Sequence, residues 1–515
     1  MIPPRRFSGR GAAAAGSALL LGLSFPPLHL VVIPFVGLVP LAVGLATLPR
    51  KDGPAAGRLG FVFGALYFGF LFYWVPVALL ATPVVASVGY AIIVIGLAAM
   101  AALFARVLHF SLHHGRAPLW LALPVVWTGF EWARAHLPDS LALPWLGLGT
   151  SLTSVPEWVG IAELVGARGV TFWIAAVNGL LAAMIVAARA GEAWRGKVPV
   201  FFVLLAVPMA WGTWRASTLP TRPAAEVAVF STNVPAGVVE VDARMTTLDG
   251  LGRRVESTHV DLLVLPEVAL PVFPERDADA ARQLRALSAH LGAPILFGAW
   301  GAGTGQRGDA VYNSAFLVDG GGLRDFRYDK RRLVPVIERV PGLQWRASTR
   351  VAPTGRYSIG RGWPLAEVAG DRFGALICYE SSDPAVSRAL RRGGADVLVN
   401  LTSDAWFGGG AVATTTALWQ HPAHLVMRAI ENRVGVVRSA NGGFSFVVDP
   451  VGHVYARSAL GEDEVTVASV RTSDVVTLYT RVGDVVGTGC AVVLLGVLLL
   501  MARGRGSLDR SGPLV

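Results

Sequence analysis

Apolar residues fall in long blocks at both ends of this chain, whereas the middle alternates short apolar runs with polar punctuation. A bilayer crossing needs about 20 predominantly apolar residues. Stretches near residues 11–25, 29–48, 59–81, 86–108, 117–134, 168–188, 198–214 and 484–502 fit or approach that length. The pattern therefore predicts about eight transmembrane helices, seven ahead of the middle region and one behind it. The first stretch is short, follows Arg5, Arg6 and Arg10, and stops at Pro26-Pro27, which a cleaved leader would also do. A retained helix is the preferred reading, because the next apolar block follows at once and no polar mature start intervenes.

Between the two apolar ends, strand-like runs recur at 226–233, 261–267, 294–300, 315–319, 373–379, 396–401, 435–440, 444–449 and 465–470. Helical periodicity appears at 280–290 and 415–433. Apolar strands separated by helices predict one large α/β domain, a sheet covered by helices. The expected organisation is a membrane domain over 1–216, an α/β domain over 217–480, and a last helix with a tail over 481–515.

Composition agrees with a membrane protein carrying a water-soluble domain: 53% of the 515 residues are hydrophobic and only 16% charged. The formal charge of +10 is unevenly placed. Basic residues cluster before the first block, at Arg50, Lys51 and Arg58, at Arg106 and Arg116, at Arg189, Arg195 and Lys197, and after the last block. With eight spans these clusters share one side. The turn at Pro26–His29 and a loop at Thr82–Ala86 lack Lys and Arg and share the other, with 217–480. The positive-inside rule then puts both termini in the cytoplasm and the large domain outside it. The charge reads as a topology signal, and no nucleic-acid partner is expected.

Only two cysteines are present, and they differ. Cys490 lies inside the last apolar block, where a small buried hydrophobe is expected. That placement also excludes a disulfide between the two within one chain. Cys378 ends the run Phe373-Gly374-Ala375-Leu376-Ile377, which reads as a buried strand entering a turn. A thiol near its free pKa is little ionised at neutral pH and needs a base to take its proton as it attacks a carbonyl. Glu267, which ends the apolar strand 262–265 through Pro266, fits that role. The oxyanion created by attack needs a fixed positive group and backbone donors. Lys330 in Tyr328-Asp329-Lys330 supplies the first, and the amide of Tyr379 is a candidate for the second. The ten histidines lack ligand spacing, so no metal is expected.

Glu, Lys and Cys in this order, each ending an apolar strand or in the loop after it, resemble the catalytic triad of the nitrilase superfamily. The resemblance implies an α-β-β-α sandwich for the α/β domain, and no cofactor. Four further strings lie in the membrane half: Glu131-Trp132-Ala133-Arg134, Leu143-Pro144-Trp145-Leu146-Gly147, an aromatic face from Gly64 to Trp74, and Gly166-Ala167-Arg168-Gly169 before Asn178. Together with the triad they make nearly the whole chain similar to the apolipoprotein N-acyltransferases. For Glu131 and Arg134 an ion pair at a helix end near the headgroups is an equal alternative to a substrate role.

This resemblance implies a bacterial inner-membrane enzyme with its catalytic domain on the extracytoplasmic side. It implies that Cys378 takes an acyl chain from a membrane phospholipid and passes it, through a thioester, to the α-amine of a diacylglyceryl apolipoprotein. It also implies supporting roles for Glu338, Tyr379, Glu380, Trp406 and Phe407, although a packed loop explains the last two as well. Residues 419–433 match too, and are read mostly as helix packing and salt bridging. Val340, Leu343 and Trp345 are candidates for a mobile apolar lid. Departures are Val336-Ile337 where the family shows Phe-Gly, Ser403 for Asn, Ser231-Thr232-Asn233 for Gln-x-Asn, and Glu240 near a missing tryptophan. The alternatives are a membrane-tethered amidase that uses water as acceptor, and a non-catalytic lipoprotein-binding scaffold.

Overall fold

The computed structural model describes residues 5–78, 83–138, 141–235, 240–303, 310–335, 337–338, 357–408 and 414–509. These form two compact units, one of residues 1–136, 146–214 and 484–515, the other of residues 137–145 and 215–483.

The first unit is helical. Among the described residues, five helices are long and apolar enough to cross a membrane: Gly53–Leu71, Val84–His113, Ala162–Arg189, Arg195–Thr218 and Val485–Arg503. The remaining expected spans take other forms. Arg5–Leu23 is a helix with a basic start, and Leu119–Ala135 is a 17-residue helix with Pro124 inside it. The stretch expected over 29–48 is broken into a 3-10 turn at Ile33–Phe35 and an eight-residue helix at Val39–Ala46. The structure thus shows several apolar helices where eight uniform spans were expected. Pro83–Ala86, expected in a loop, is already the first turn of a helix.

Backbone polar groups freed inside an apolar medium must find partners, and the broken stretch finds them in Asn178. Its Oδ1 accepts from Leu38 N at 2.9 Å and its Nδ2 donates to Pro34 O at 2.8 Å. Small residues set the closest helix approaches. A Cβ on Gly129 would lie 2.9 Å from the carbonyl oxygen of Cys490 on the last helix. Glu131 accepts from Leu148 N and from Thr171 Oγ1, each at 2.9 Å, and Arg134 donates to Leu146 O at 3.3 Å. Both side chains therefore brace the chain at 146–148.

Among the described residues the second unit holds twelve strands in two six-stranded sheets. In chain order they are β1 (Arg222–Ser231), β2 (Leu262–Val264), β3 (Ile295–Ala302), β4 (Val311–Asp319), β5 (Gly322–Asp329), β6 (Ala366–Val368), β7 (Asp371–Ile377), β8 (Val397–Ser403), β9 (Gly435–Asn441), β10 (Phe446–Val448), β11 (Val454–Tyr455) and β12 (Glu464–Thr472). The first sheet runs β12-β1-β2-β3-β4-β5 and the second β11-β10-β9-β8-β7-β6. Their centres are parallel, β1 with β2 and β3, and β7 with β8 and β9. Parallel strands buried on both faces need apolar residues at nearly every position, which is why β2, β7 and β8 read as continuous runs.

Phe373, Ala375 and Ile377 of β7 and Val397, Val399 and Leu401 of β8 meet Val227, Val229, Leu262 and Val264 in one core between the sheets. On the outer face of the first sheet, Ala228, Phe230, Leu263 and Phe297 pack against Leu248 and Leu251 of the helix Val241–Arg253 and Leu284 and Leu287 of Ala278–Leu291. The helices Pro384–Arg392 and Ala417–Asn432 pack on the second sheet, where Gly374 leaves room for Leu390. The layers are α-β-β-α. The carboxyl ends of β2, β5, β7 and β8 bring Glu267, Lys330, Cys378 and Asp404 to the chain positions just past the sheets, where open α/β sheets place their sites.

Candidate active site

Lys330 is the centre of the site. Its backbone N–H donates to Asn313 O at 2.8 Å, which fixes the turn after β5. Its fully buried ammonium donates to Glu338 Oε1 at 2.8 Å and Glu267 Oε1 at 3.2 Å. Asn313 Nδ2 donates to the same two carboxylates, at 2.7 Å to Glu267 and 3.2 Å to Glu338. The outer oxygens are bound to backbone, Glu267 Oε2 by Ser403 N at 2.8 Å and Glu338 Oε2 by Val334 N at 2.7 Å. Burial works to lower the lysine pKa, but the fields of Glu267 and Glu338 outweigh it and hold Lys330 well above the usual range. The ammonium is therefore a fixed charge.

Cys378 opens a 3-10 turn, Cys378–Ser382, with φ of +52°. Left-handed backbone is rare for a residue with a side chain and is held only where the surroundings over-determine it. Burial and the neighbouring Glu267 push its thiol pKa far up, partly offset by Lys330. The resting sulfur is thus a neutral thiol, and a base has to remove its proton during attack. The parallel register of β7 and β8 sets Ile377 beside Leu401, so Thr402 follows beside Cys378 and its hydroxyl hydrogen-bonds the thiol.

Glu380 couples the lysine loop to this turn. Its Oε1 accepts from Tyr328 Oη at 2.8 Å, Arg331 N at 2.8 Å and Arg332 N at 3.1 Å, while Oε2 accepts from Ile377 N at 2.8 Å. Burial pushes its carboxyl up, and the Ile377 and Arg331 N–H groups hold it back. A glutamine at 380 would turn an amide N–H₂ toward at least one of these donors. We expect Glu380→Gln to cost about 2 kcal/mol of stability and to slow any chemistry at Cys378. Thermal unfolding measures the first, and a variant as stable as wild type would remove Glu380 from the framework.

The other sequence-derived candidates sit around this centre. Tyr379 donates to Ala142 O at 3.2 Å and lies parallel to Trp145, with ring centroids 6.2 Å apart. Phe407 is 6.1 Å from Trp145 and 5.9 Å from His421, and its carbonyl accepts from Thr415 Oγ1 at 2.6 Å. Trp406 is half-buried in the same 3-10 turn, Ala405–Phe407. Val340, Leu343 and Trp345 lie outside the described residues. Ser403 meets Glu267 through its backbone N–H, so its departure from Asn leaves that bond available.

Sequence reasoning missed Asn313 and Asn400, and it assigned His421 to helix packing. Asp404 is fully buried, and His421 Nδ1 donates to its Oδ1 at 2.8 Å while Arg438 pairs with its Oδ2. Burial works to raise the Asp404 pKa, but Arg438 and His421 overcome it and bring the value down to about 2. The salt-bridging part of that reading does hold, since Arg428 Nε lies 2.8 Å from Glu431 Oε2. Among the described residues no group of three or more His, Cys, Asp or Glu side chains is placed to hold a metal ion.

A buried Glu-Lys-Glu cluster beside a strained cysteine, at the strand ends of a two-sheet sandwich, is an arrangement suited to acyl transfer through sulfur. A family model described as apolipoprotein N-acyltransferase N-terminal domain matches residues 17–180, and one described as carbon-nitrogen hydrolase matches residues 227–479. The apolipoprotein N-acyltransferase of Geobacter metallireducens is 31% identical over 503 residues, covering 95% of this chain and 94% of that protein. The chain belongs to the apolipoprotein N-acyltransferase family. A second family member, from Bradyrhizobium diazoefficiens, is 32% identical over 541 residues, covering 96% and 94%. Among solved structures, an amidase from Nesterenkonia sp. is similar over 52% of this chain and 95% of its own, at 18% identity and a TM-score of 0.38. Membership in the N-acyltransferase family accounts for the pairing of an apolar helical unit with a carbon-nitrogen hydrolase unit in one chain.

Proposed function

We propose that this protein transfers a fatty acyl chain from a membrane phospholipid to the α-amine of an S-diacylglyceryl cysteine at the start of an apolipoprotein. The observation that carries the reading is the buried cluster of Glu267, Lys330 and Glu338 beside Cys378, in a chain whose other unit is a set of apolar helices.

In the first half-reaction Glu267 takes the thiol proton as the Cys378 sulfur attacks an ester carbonyl of the phospholipid. The oxyanion faces the Lys330 ammonium and the Tyr379 amide. The C–O bond then breaks, Glu267 returns the proton to the departing alkoxide, and a lysophospholipid leaves a thioester behind. In the second half-reaction the lipoprotein α-amine attacks the thioester, the C–S bond breaks, and the amine proton passes through Glu267 to the thiolate. Two steps through a thioester replace one difficult ester-to-amide exchange. Glu338 holds Lys330 in place, Glu380 and Tyr379 hold the turn, and Trp406 and Phe407 face the acyl chains. Phosphatidylethanolamine is the donor that family membership favours.

Both substrates are lipid-anchored in this reading, and the basic clusters support a catalytic unit on the extracytoplasmic side of a bacterial inner membrane. A reporter active only outside the cytoplasm is expected to work when fused after residue 250 and to be silent after residue 510. The reverse pattern would overturn the orientation. Incubation with phospholipid and a diacylglyceryl-cysteine peptide is expected to yield N-acylated peptide by mass spectrometry, whereas free fatty acid without it would favour the amidase.

A further inference from the structure

Two donors hold the carbonyl oxygen of Cys378. His421 Nε2 lies 3.1 Å from that oxygen and Asn400 Nδ2 lies 3.4 Å from it. The two donors are themselves joined behind the carbonyl. His421 Nδ1 bonds Asp404 Oδ1 at 2.8 Å, Arg438 pairs with Asp404 Oδ2, and Arg438 Nη1 donates to Asn400 Oδ1 at 2.7 Å. The result is a closed ring of hydrogen bonds running from the carbonyl through His421, Asp404, Arg438 and Asn400 back to the carbonyl. All four side chains are at most 1% exposed. They come from β8, the residue past its end, the helix Ala417–Asn432 and β9. Thr402 Oγ1 joins the ring at Asp404 Oδ1, 3.2 Å away, and reaches the thiol on its other side.

A carbonyl oxygen can only accept, so the ring nitrogen that faces it must donate. A carboxylate can only accept as well, so Nδ1 donates to Asp404, and with both ring nitrogens donating His421 is the imidazolium, its charge paired with Asp404. Arg438 Nη2 also approaches Nδ1, but at 3.5 Å its bond is much the longer, and its guanidinium is directed at Asp404. The carbonyl that His421 grips belongs to the one residue whose backbone is left-handed at the end of β7. Without a grip on that oxygen the peptide can relax toward ordinary backbone, swinging the thiol and the following Tyr379 amide away from Glu267 and Lys330.

We propose that His421, oriented by Asp404, is a positioning residue that holds the Cys378 peptide in its reactive left-handed form. The role differs from ring packing, which His421 also provides against Trp145, 5.4 Å away, and Phe407. It rests on Cys378 being the acylated residue.

Two substitutions separate the roles. His421→Gln places an amide nitrogen where Nε2 stands and keeps the donor to the carbonyl. His421→Asn places one where Nδ1 stands and keeps only the bond to Asp404. Thioester formation is followed on purified full-length protein with phospholipid as sole substrate, beside thermal unfolding of each variant. His421→Gln is expected to stay within about tenfold of wild type, and His421→Asn to lose about 100-fold in kcat with KM unchanged, as small misplacements of a reacting group do. Equal rates, or a faster Asn variant, would overturn the proposal. Should His421→Asn not fold, His421→Met, which has similar length and no donor, takes its place: His421→Gln must exceed it by about 100-fold. Wild type without thioester would remove the acylation reading and this role together. A wild-type thioester with indistinguishable variants would remove the role of His421 alone.

Discussion

Cys378→Ala is expected to form no thioester and no N-acylated product, a loss of at least about 10⁴-fold in turnover, while Cys490→Ala stays near wild type. Thr402, the hydroxyl beside the sulfur at the end of β7, is fully buried and already hydrogen-bonded to Asp404. Cys490 is buried in the last helix, where the backbone of its turn packs against Gly129. Acylation is read as a mass increase of one fatty acyl chain after incubation with phospholipid. Substantial activity in Cys378→Ala would take the nucleophile away from this residue.

The second large effect is expected from Lys330→Met. Removing the ammonium leaves Glu267 and Glu338 sharing Asn313 Nδ2 with no cation between them. Breaking a buried pair on one side costs about 3–5 kcal/mol, because the remaining charge is left uncompensated. Like-charge repulsion between the two carboxylates is then left uncompensated. The group that faces the oxyanion is lost with the ammonium. The single-turnover rate of thioester formation should fall by about 10²–10³-fold or more, with a clear drop in unfolding temperature. A Lys330→Met variant that acylates at the wild-type rate would remove the lysine from the chemistry. Glu338→Gln tests the same cluster from its far side, since it leaves Lys330 one carboxylate and disturbs the Val334 N–H bond.

How much of this was legible in the sequence depends on where each group stands in the fold. Glu267 and Cys378 each follow an apolar strand, and a polar residue ending such a run is conspicuous. The strands β7, β8 and β9 are buried on both faces, so apolar residues fill most of their positions, with Asn400 and Arg438 among the polar exceptions. Strand β5 was not seen: Gly322–Asp329 carries Arg324, Asp325, Arg327 and Asp329, and only Phe326 and Tyr328 turn inward. The helix Val241–Arg253 was also missed, since its inward face is only Val241, Met245, Leu248 and Leu251 among mostly polar residues and glycines. In the membrane half, hydropathy located the blocks, but Pro34 and the tie to Asn178 divide one of them, which composition does not show.

The ring behind Cys378 was invisible for a different reason. Asn400, Asp404, His421 and Arg438 have no spacing that marks a motif, and parallel strands with a helix between them bring them together only on folding. Asn313 is similar, since one polar residue inside β4 has no sequence signal until Lys330, Glu267 and Glu338 are placed around its amide. Glu131 and Arg134 show the reverse case, a conspicuous charged string whose bonds go to Leu146, Leu148 and Thr171.

The central claim is that a Cys378 thioester waits for an amine. Purified protein incubated with phospholipid alone is expected to stop at an acyl-Cys378 adduct, sensitive to neutral hydroxylamine and persistent in buffer. Discharge requires an amine held at the reacting carbon. Adding a diacylglyceryl-cysteine peptide with a free α-amine should then release the adduct and yield N-acylated peptide, whereas the same peptide already N-acetylated should leave it in place. Rapid release of free fatty acid without peptide, with no N-acylated product when peptide is present, would contradict the account and leave a hydrolase.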